Sequence, residues 1–215
     1  MKNIQVFVAD TLNKSNNIEL ADLIALLPSN LQARALRYNN KRSSVNYCFG
    51  RLMLQRAISD LGFDSEKINE LYYSPNDKPL IDGFYFSISH SENIVALAFS
   101  TRNQLGLDIE KIQTPELTNF KSFFRDDEWK TIISDTEPLV KFYWYWVRKE
   151  SILKAIDGKM NQVNDIFIAS SSEGYFKTPE INWYLHEINI GEKHKGILAC
   201  RVTKPIINIE QFKLI

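Results

Sequence analysis

The stretch FYFSISHSENIVALAFSTRNQLGLDIE, residues 84–110, decides how the first half of the chain is expected to fold. Residues 84–89 alternate apolar and polar side chains, which is the pattern of a half-buried strand. Residues 94–99 form a short apolar run, and residues 105–110 alternate again. Turn-type residues separate the three segments. The stretch therefore predicts three antiparallel strands that follow one another in a meander.

The third predicted strand carries two carboxylates on one face. If Leu105, Leu107 and Ile109 face the core, Asp108 and Glu110 share the opposite face, because side chains alternate along a strand. Spacing alone leaves two interpretations open. The pair is either the solvated face of an edge strand or a pair of ligands.

A second stretch, WVRKESILKAIDG at residues 146–158, is helical in character and ends at a glycine. Glu150 and Lys154 lie one turn apart on it, which is the spacing of an ordinary helix ion pair. The alternative is that the helix presents both to the face of Asp108 and Glu110. Three carboxylates without a thiol or imidazole pair favour a hard cation such as Mg²⁺, which is usually shared with substrate phosphates.

Other side chains of this helix are expected to have structural or peripheral positions. Residues 142–146, FYWYW, place aromatic rings on most sides, which indicates a buried helix rather than a stacking platform. Lys149 lies about 100° around the helix from Glu150. We therefore expect that Lys149→Ala leaves the melting temperature unchanged and can serve as a control for Glu150.

The composition indicates a folded protein with a sizeable core. The chain has 215 residues and 44% hydrophobic content, enough for one large domain or two small ones. Lys+Arg and Asp+Glu are equal at 26 each, so the charge does not suggest a nucleic-acid partner. Cys48 and Cys200 form no metal or redox spacing. No segment resembles a secretion signal or a membrane span, so we expect a cytoplasmic protein without a membrane partner.

The coarse layout repeats a pattern of helix followed by strands. A strand near residues 4–8 and helices up to Leu61 precede the predicted meander, and short β-type runs follow Lys154. We predict an α+β fold with two similar subdomains, each with helices packed on a small antiparallel sheet. The N-terminal subdomain is expected at residues 1–103 and the C-terminal one at 104–215, with a soft boundary.

Four blocks, in order, resemble motifs of the 4′-phosphopantetheinyl transferases. They are DKP (77–79), similar to the usual G-K-P of the family, FSISHS (86–91), LGLDIE (105–110) and WVRKESILK (146–154). The length and layout resemble the surfactin-synthetase-activating type, in which two halves are fused in one chain. The resemblance implies two subdomains related by a pseudo-twofold axis, with the active site in the cleft between them.

The resemblance also implies an enzyme. It would move the 4′-phosphopantetheine arm of coenzyme A to a serine of an apo acyl or peptidyl carrier protein and release 3′,5′-ADP. Asp108, Glu110 and Glu150 would bind Mg²⁺, with Mn²⁺ as a possible substitute. Glu150 would be the base, either directly or through a metal-bound water, and Lys154 would stabilise the leaving side. We expect a monomer whose partners are coenzyme A and a carrier of a fatty-acid, polyketide or peptide synthase.

Coenzyme A is expected to contact Lys78, Ser89, His90 and Arg51. The resemblance implies phosphate contacts for the first three, and Arg51 lies in GRLMLQR, which resembles the glycine-arginine helix of the family. Their alternative roles are a turn lysine, a structural histidine and solvated charges. Which basic residues of the N-terminal half hold the nucleotide stays open at this point.

Two other functions compete with the enzyme. One is a module that binds coenzyme A and only docks a synthase, and the other is a structural protein with chance matches. The enzyme is favoured because all the expected carboxylates and lysines are present in order.

Overall fold

A computed structural model describes residues 3–13, 16, 18–177 and 182–214. The chain divides into two compact units, Met1–Arg102 with Pro205–Ile215, and Asn103–Lys204. Each unit combines helices with a sheet that is largely antiparallel, so the predicted α+β class is confirmed. Residues 1–2 and 215, at the ends of the predicted subdomains, lie outside the described residues.

The first unit packs a long helix on a four-stranded sheet. Its strands follow the order β11-β1-β5-β4. Their bounds are Asn3–Asp10 (β1), Tyr85–Ser91 (β4), Ile94–Ser100 (β5) and Ile206–Gln211 (β11), and a small ladder joins Tyr72–Tyr73 (β2) to Pro79–Leu80 (β3). The helices are Leu20–Ala25 (α1), Ser29–Ala35 (α2) and Lys41–Asp60 (α3). The side chain of Asn40 caps α3 by accepting the backbone N–H of Ser43, which fixes where the helix begins.

The core of this unit lies between α3 and the sheet. Apolar residues of α3, among them Phe49, Met53 and Leu54, are buried in one cluster with Leu97 and Phe99 of β5. One core thus buries both the apolar face of the alternating strands and the apolar face of α3.

The predicted three-stranded meander is wrong in its third strand. β4 and β5 pair antiparallel, as expected. The third strand, β6 (Leu105–Lys111), instead joins the sheet of the second unit, where it pairs antiparallel with β10 (His194–Cys200). The turn residues before β6 are compatible with a hairpin and with a crossing to another sheet, so the local pattern could not distinguish the two.

The end of the chain also departs from the predicted division. β11 pairs in parallel with β1. The structure therefore places residues 205–215 with the first unit, whereas we expected them in a subdomain spanning 104–215. The sequence around β11 gives no local sign of this parallel pairing, because the partner strand β1 lies some 200 residues earlier in the chain.

The second unit packs a central helix on a five-stranded sheet with the order β6-β10-β9-β8-β7. The remaining strands are Ile166–Ser170 (β7), Glu173–Phe176 (β8) and Asn182–Glu187 (β9), and the helices are Asp126–Ser134 (α4) and Pro138–Ala155 (α5). Pro138 suits the first turn of α5, where its missing N–H leaves no helix bond unmade. At the other end Asp157, with φ 56°, takes the left-handed conformation expected of the following glycine.

Two apolar clusters surround α5. Val147 and Ile152 pack with Trp183 of β9 and Ile197 of β10. The aromatic stretch contributes to a second cluster, which contains Phe124, Trp129, Ile132, Phe142 and Tyr143 with Trp146 against it. The aromatic side chains of this helix thus form core contacts.

Short 3-10 helices at Ser65–Glu70, Leu117–Phe123 and Met160–Asp165 connect these elements. Within the described part of the chain, no helix has the length and hydropathy needed to cross a membrane. The pseudo-twofold relation, the cleft site, the monomeric state and the cytoplasmic location stay predictions.

Candidate active site

A glycine sets the distance between β6 and α5. A Cβ at Gly106 would lie 2.1 Å from the carbonyl oxygen of Ser151 and 2.4 Å from the nitrogen of Ala155, both in the backbone of α5. Only glycine permits this approach. Because side chains alternate along a strand, Asp108 and Glu110 lie on the same face of β6 and point toward the helix.

Asp108 and Lys154 form an ion pair across this contact. The Nζ of Lys154 donates to Oδ1 of Asp108 at 2.7 Å, and Asp108 is only 2% exposed. Burial lowers the pKa of Lys154, but the charges of Asp108 and Glu150 outweigh it and raise that pKa above its ordinary value. Lys154 is therefore a firmly protonated cation beside the carboxylates.

Glu150 is buried next to this pair. It is 9% exposed, and its Oε1 has no hydrogen-bond partner among the described residues. Burial raises the pKa of Glu150 to about 7, and repulsion from Asp108 adds to the effect, while Lys154 opposes it. Glu110 contributes further repulsion. The Glu150 carboxyl group can thus gain or lose a proton near neutral pH.

The donor atoms of these side chains are of the kind that binds magnesium, but the side chains are not arranged around one metal position. Among the described residues, no three histidine, cysteine, aspartate or glutamate side chains are grouped so that they could hold a metal as they stand. The donors are nevertheless all carboxylate oxygens, which suit Mg²⁺. The bare Oε1 of Glu150 and the mutual repulsion of the acids are both relieved by a cation. The donor atoms of these residues fit Mg²⁺, and the bond from Lys154 is to one of the two carboxylate oxygens of Asp108.

The expected coenzyme A residues lie in the first unit. Ser89 is buried and His90 is exposed, so they lie on opposite faces of β4, which is an end strand in the sheet order. Lys78 follows Asp77, whose φ of 63° marks a tight turn, and the Lys78 N–H donates to Oγ of Ser74. The structure thus places Lys78 in a turn and His90 at the surface.

Arg51 lies inside the first unit rather than at its surface. Its guanidinium group donates to the hydroxyl of Tyr73 at 3.2 Å and stacks over the ring of Tyr47 at 4.7 Å. These contacts make it a support for two tyrosines, which sequence reasoning did not anticipate.

A basic pocket that sequence reasoning left undecided lies nearby. An open pocket of about 450 Å³ is lined by Arg34, Arg37, Tyr38 and Asp77. Arg34 stacks on the ring of Tyr73 at 3.9 Å and pairs with Asp77 at 2.7 Å. The available signal was a pair of arginines three residues apart: Arg34 lies in the last turn of α2, and Arg37 follows the helix and donates its backbone N–H to the carbonyl oxygen of Arg34.

The position of Lys149 differs most from expectation. The residue is 0% exposed, and its Nζ lies 2.7 Å from Oε2 of Glu128 on α4. Lys149→Ala would remove the nearer of two cations beside the buried Glu128 carboxylate, the other being Arg125, so it is unsuitable as a neutral control.

Comparison with known proteins agrees with these motifs. Residues 104–200 match a family profile described as the 4′-phosphopantetheinyl transferase superfamily. The chain is 30% identical over 162 residues to the 4′-phosphopantetheinyl transferase HetI of Nostoc sp., which covers 70% of this chain and 68% of that protein. It is 32% identical over 126 residues to an L-aminoadipate-semialdehyde dehydrogenase-phosphopantetheinyl transferase of Xenopus laevis, covering 50% of this chain and 41% of that protein.

A third relative is the 4′-phosphopantetheinyl transferase AcpT of Salmonella typhimurium. It is 30% identical over 128 residues, which cover 55% of this chain and 62% of that protein. Across these three relatives the chain thus spans from about two fifths to about two thirds of the relative's own length.

Proposed function

This chain belongs to the 4′-phosphopantetheinyl transferase superfamily and transfers phosphopantetheine to carrier proteins, and from that premise we propose that Glu150 and Lys154 carry the chemistry. The observation that supports this most is the buried carboxyl group of Glu150, with its pKa raised to about 7 beside the Asp108–Lys154 pair. Such a shifted group, next to a fixed cation, is typical of a catalytic position.

Glu150 is the proposed base for the incoming nucleophile. The reaction needs a proton removed from the serine hydroxyl of the carrier as its oxygen attacks the β-phosphate of coenzyme A. In the metal-free site the pKa of Glu150 lies near neutral pH, the range in which a carboxylate works as a general base. The Oε1 of Glu150, which has no hydrogen-bond partner in the described part of the chain, is available to accept the proton.

Lys154 is proposed to meet the charge of the pyrophosphate. Because its pKa is raised, its ammonium group stays protonated through the working pH range. A fixed cation close to the phosphates stabilises the negative charge that collects on 3′,5′-ADP as the bond to it breaks. The ammonium group has three N–H donors, so Lys154 can bond the phosphates in addition to Oδ1 of Asp108.

Asp108, Glu110 and Glu150 are the residues proposed to hold Mg²⁺, or Mn²⁺ in its place, and the cation supplies charge compensation for the phosphates when bound. Asp108 has two carboxylate oxygens, and Lys154 is bonded to Oδ1, so the carboxylate can serve as a ligand through Oδ2 while this ion pair persists.

The first unit is proposed to bind the nucleotide of coenzyme A. Arg34 and Arg37 offer two guanidinium groups to one pocket, and arginine is well suited to phosphate oxygens. Lys78 lies in the turn beside this pocket, next to Asp77. Ser89 and His90 at the end strand, and Arg51 through Tyr73, are the remaining proposed contributors.

We assign the chain to the surfactin-synthetase-activating type and expect it to act as a monomer. Two compact α+β units in one chain, each with a long helix on a sheet, support this assignment. The partner is an apo carrier protein or carrier domain. Activity that appears only in a dimer or trimer on dilution would contradict it.

Mass spectrometry of carriers tests the function. The protein is incubated with coenzyme A, Mg²⁺ and several apo carriers, and the carrier that it serves is expected to become heavier by one phosphopantetheine arm. Glu150→Gln should lose about 10²–10⁴-fold in single-turnover rate. Glu137→Gln, an exposed charge removal at the start of α5, is the matched control. Binding of coenzyme A without transfer to any carrier would identify a binding module instead.

A further inference from the structure

The ion pair between Lys149 and Glu128 is buried far more completely than an ordinary helix pair. Lys149 is 0% exposed and Glu128 is 3% exposed, with 2.7 Å between Nζ and Oε2. The same Nζ donates to the carbonyl oxygen of Val163 at 3.3 Å, and it lies 5.8 Å from the ring centre of Phe124. Lys149 is therefore enclosed by protein and has no access to a phosphate or a carrier.

Glu128 is itself held in place from α4. Its Oε2 accepts the backbone N–H of Arg125 at 3.1 Å, which closes the first turn of α4. The guanidinium group of Arg125 lies 3.4 Å from the other carboxylate oxygen. Lys149 is thus bonded to a carboxylate whose position is fixed by the start of another helix.

Lys149 and Glu150 are consecutive on α5, so their side chains diverge by about 100° around the helix axis. Lys149 points to α4 and the Met160–Asp165 segment, whereas Glu150 points to the carboxylates of β6. A directional bond on one side of a helix determines how the helix is rotated about its axis. That rotation decides where the next side chain points.

A buried ion pair contributes little net stability compared with apolar side chains of the same size, because both charges lose their hydration. Its distinctive property is direction, since a short bond between charged groups tolerates little displacement. We propose that Lys149 is a positioning residue, which through Glu128 sets the rotation of α5 and thereby aims Glu150 at Asp108. The catalytic role of Glu150 in this inference rests on the proposed function. The effect of Lys149 on the direction of the Glu150 side chain does not.

The test is a double variant, Lys149→Met with Glu128→Gln, which removes both charges and retains an acceptor for the Arg125 N–H. The matched control is Arg148→Met with Glu187→Gln, because it removes the ion pair of the preceding residue on α5. Melting temperature, coenzyme A affinity by calorimetry, kcat and KM are measured for both, and the double variant is crystallised.

We expect the Lys149–Glu128 double variant to melt near the parent and to bind coenzyme A within about twofold. Its kcat should fall about tenfold or more with KM for coenzyme A unchanged, since misplacement by about 1 Å is enough for a large loss of rate. The Glu150 carboxylate should be displaced from Asp108 in the crystal structure, while the control retains its kcat.

Parental kcat in the folded double variant, weakened coenzyme A binding or an equal loss of kcat in the control would each overturn the inference. If the parent protein transfers nothing, the proposed function fails on its own. The crystal structure then decides the inference: an unmoved Glu150 carboxylate refutes it, and a displaced one supports it.

Discussion

Gly106→Ala tests whether the close approach of β6 to α5 is what assembles the site. The added Cβ would lie 2.1 Å from the carbonyl oxygen of Ser151, whereas ordinary contacts begin near 3.4 Å. The obstacle is helix backbone, which cannot rotate away as a side chain can. The strand and helix must therefore separate by about 1 Å, which carries Asp108 away from Glu150 and Lys154.

Two effects of different size are expected from this separation. Overpacking a well-packed contact costs about 1–3 kcal/mol of unfolding free energy. A displacement of about 1 Å between catalytic groups costs about 10²-fold in rate. Gly106→Ala should therefore remain folded below its lowered melting temperature, yet transfer phosphopantetheine about 100 times more slowly in a single-turnover assay.

Gly174→Ala supplies the matched control. A Cβ there would lie 2.9 Å from the carbonyl oxygen of Phe167 and 2.7 Å from the side chain of Ile152, away from the carboxylates of β6. It should lower the melting temperature with much less loss of rate. If Gly106→Ala transfers within about threefold of the parent, the close approach does not determine the geometry of the site.

Three further predictions concern charge. In the metal-free folded protein the pKa of Glu150 is about 7, against an ordinary value of 4.5. The folded state therefore binds this proton more tightly than the unfolded state does. This stabilisation is complete below pH ~4.5 and is lost as the pH rises through 7, so Glu150 should contribute ~2–3 kcal/mol less stability at pH 8 than at pH 5. In urea unfolding, the parent should therefore lose that much more stability between these pH values than Glu150→Gln does. Asp108→Ala should weaken transfer in a manner that excess Mg²⁺ partly restores, whereas full activity of metal-free protein in chelator would exclude the metal role. Arg34→Ala should raise KM for coenzyme A about tenfold with kcat little changed, because it removes a guanidinium group from the basic pocket. Arg56→Ala, which removes an exposed arginine on α3, is the control and should leave KM unchanged. If both variants have the same KM, the basic pocket is not part of the binding site.

The periodicity of apolar residues predicted most helices and strands of this fold, because each such pattern depends only on residues within one helix or strand. β4, β5 and the helix containing Glu150 lie where alternation and helical spacing placed them. The sheet to which β6 belongs was mispredicted, since pairing partners far apart in sequence leave no local pattern. The alternation along β6 was predicted correctly, because the strand period is the same in either sheet, but Asp108 lies beside Ile197 on the face packed against α5 and not on a face turned away from the core.

The same reasoning explains why Lys149 was misjudged. Helical spacing gives the direction of a side chain relative to its neighbours, but not what lies on that side. A lysine is expected at the surface unless it is paired, and its partner Glu128 lies 21 residues earlier on another helix. Because Arg125 stays beside the Glu128 carboxylate, Lys149→Ala is expected to cost less than the about 3–5 kcal/mol of a fully unpaired buried charge, but it is not a neutral change.

The pairing of β11 with β1 makes the first unit discontinuous along the chain. Its sheet can be completed only when residues 206–211 have been synthesised, after everything that lies between. The second unit, Asn103–Lys204, is continuous and can fold as soon as it leaves the ribosome. The half that carries the carboxylates is therefore expected to mature first, while the earlier-made half waits for its last strand with one edge of β1 still unpaired.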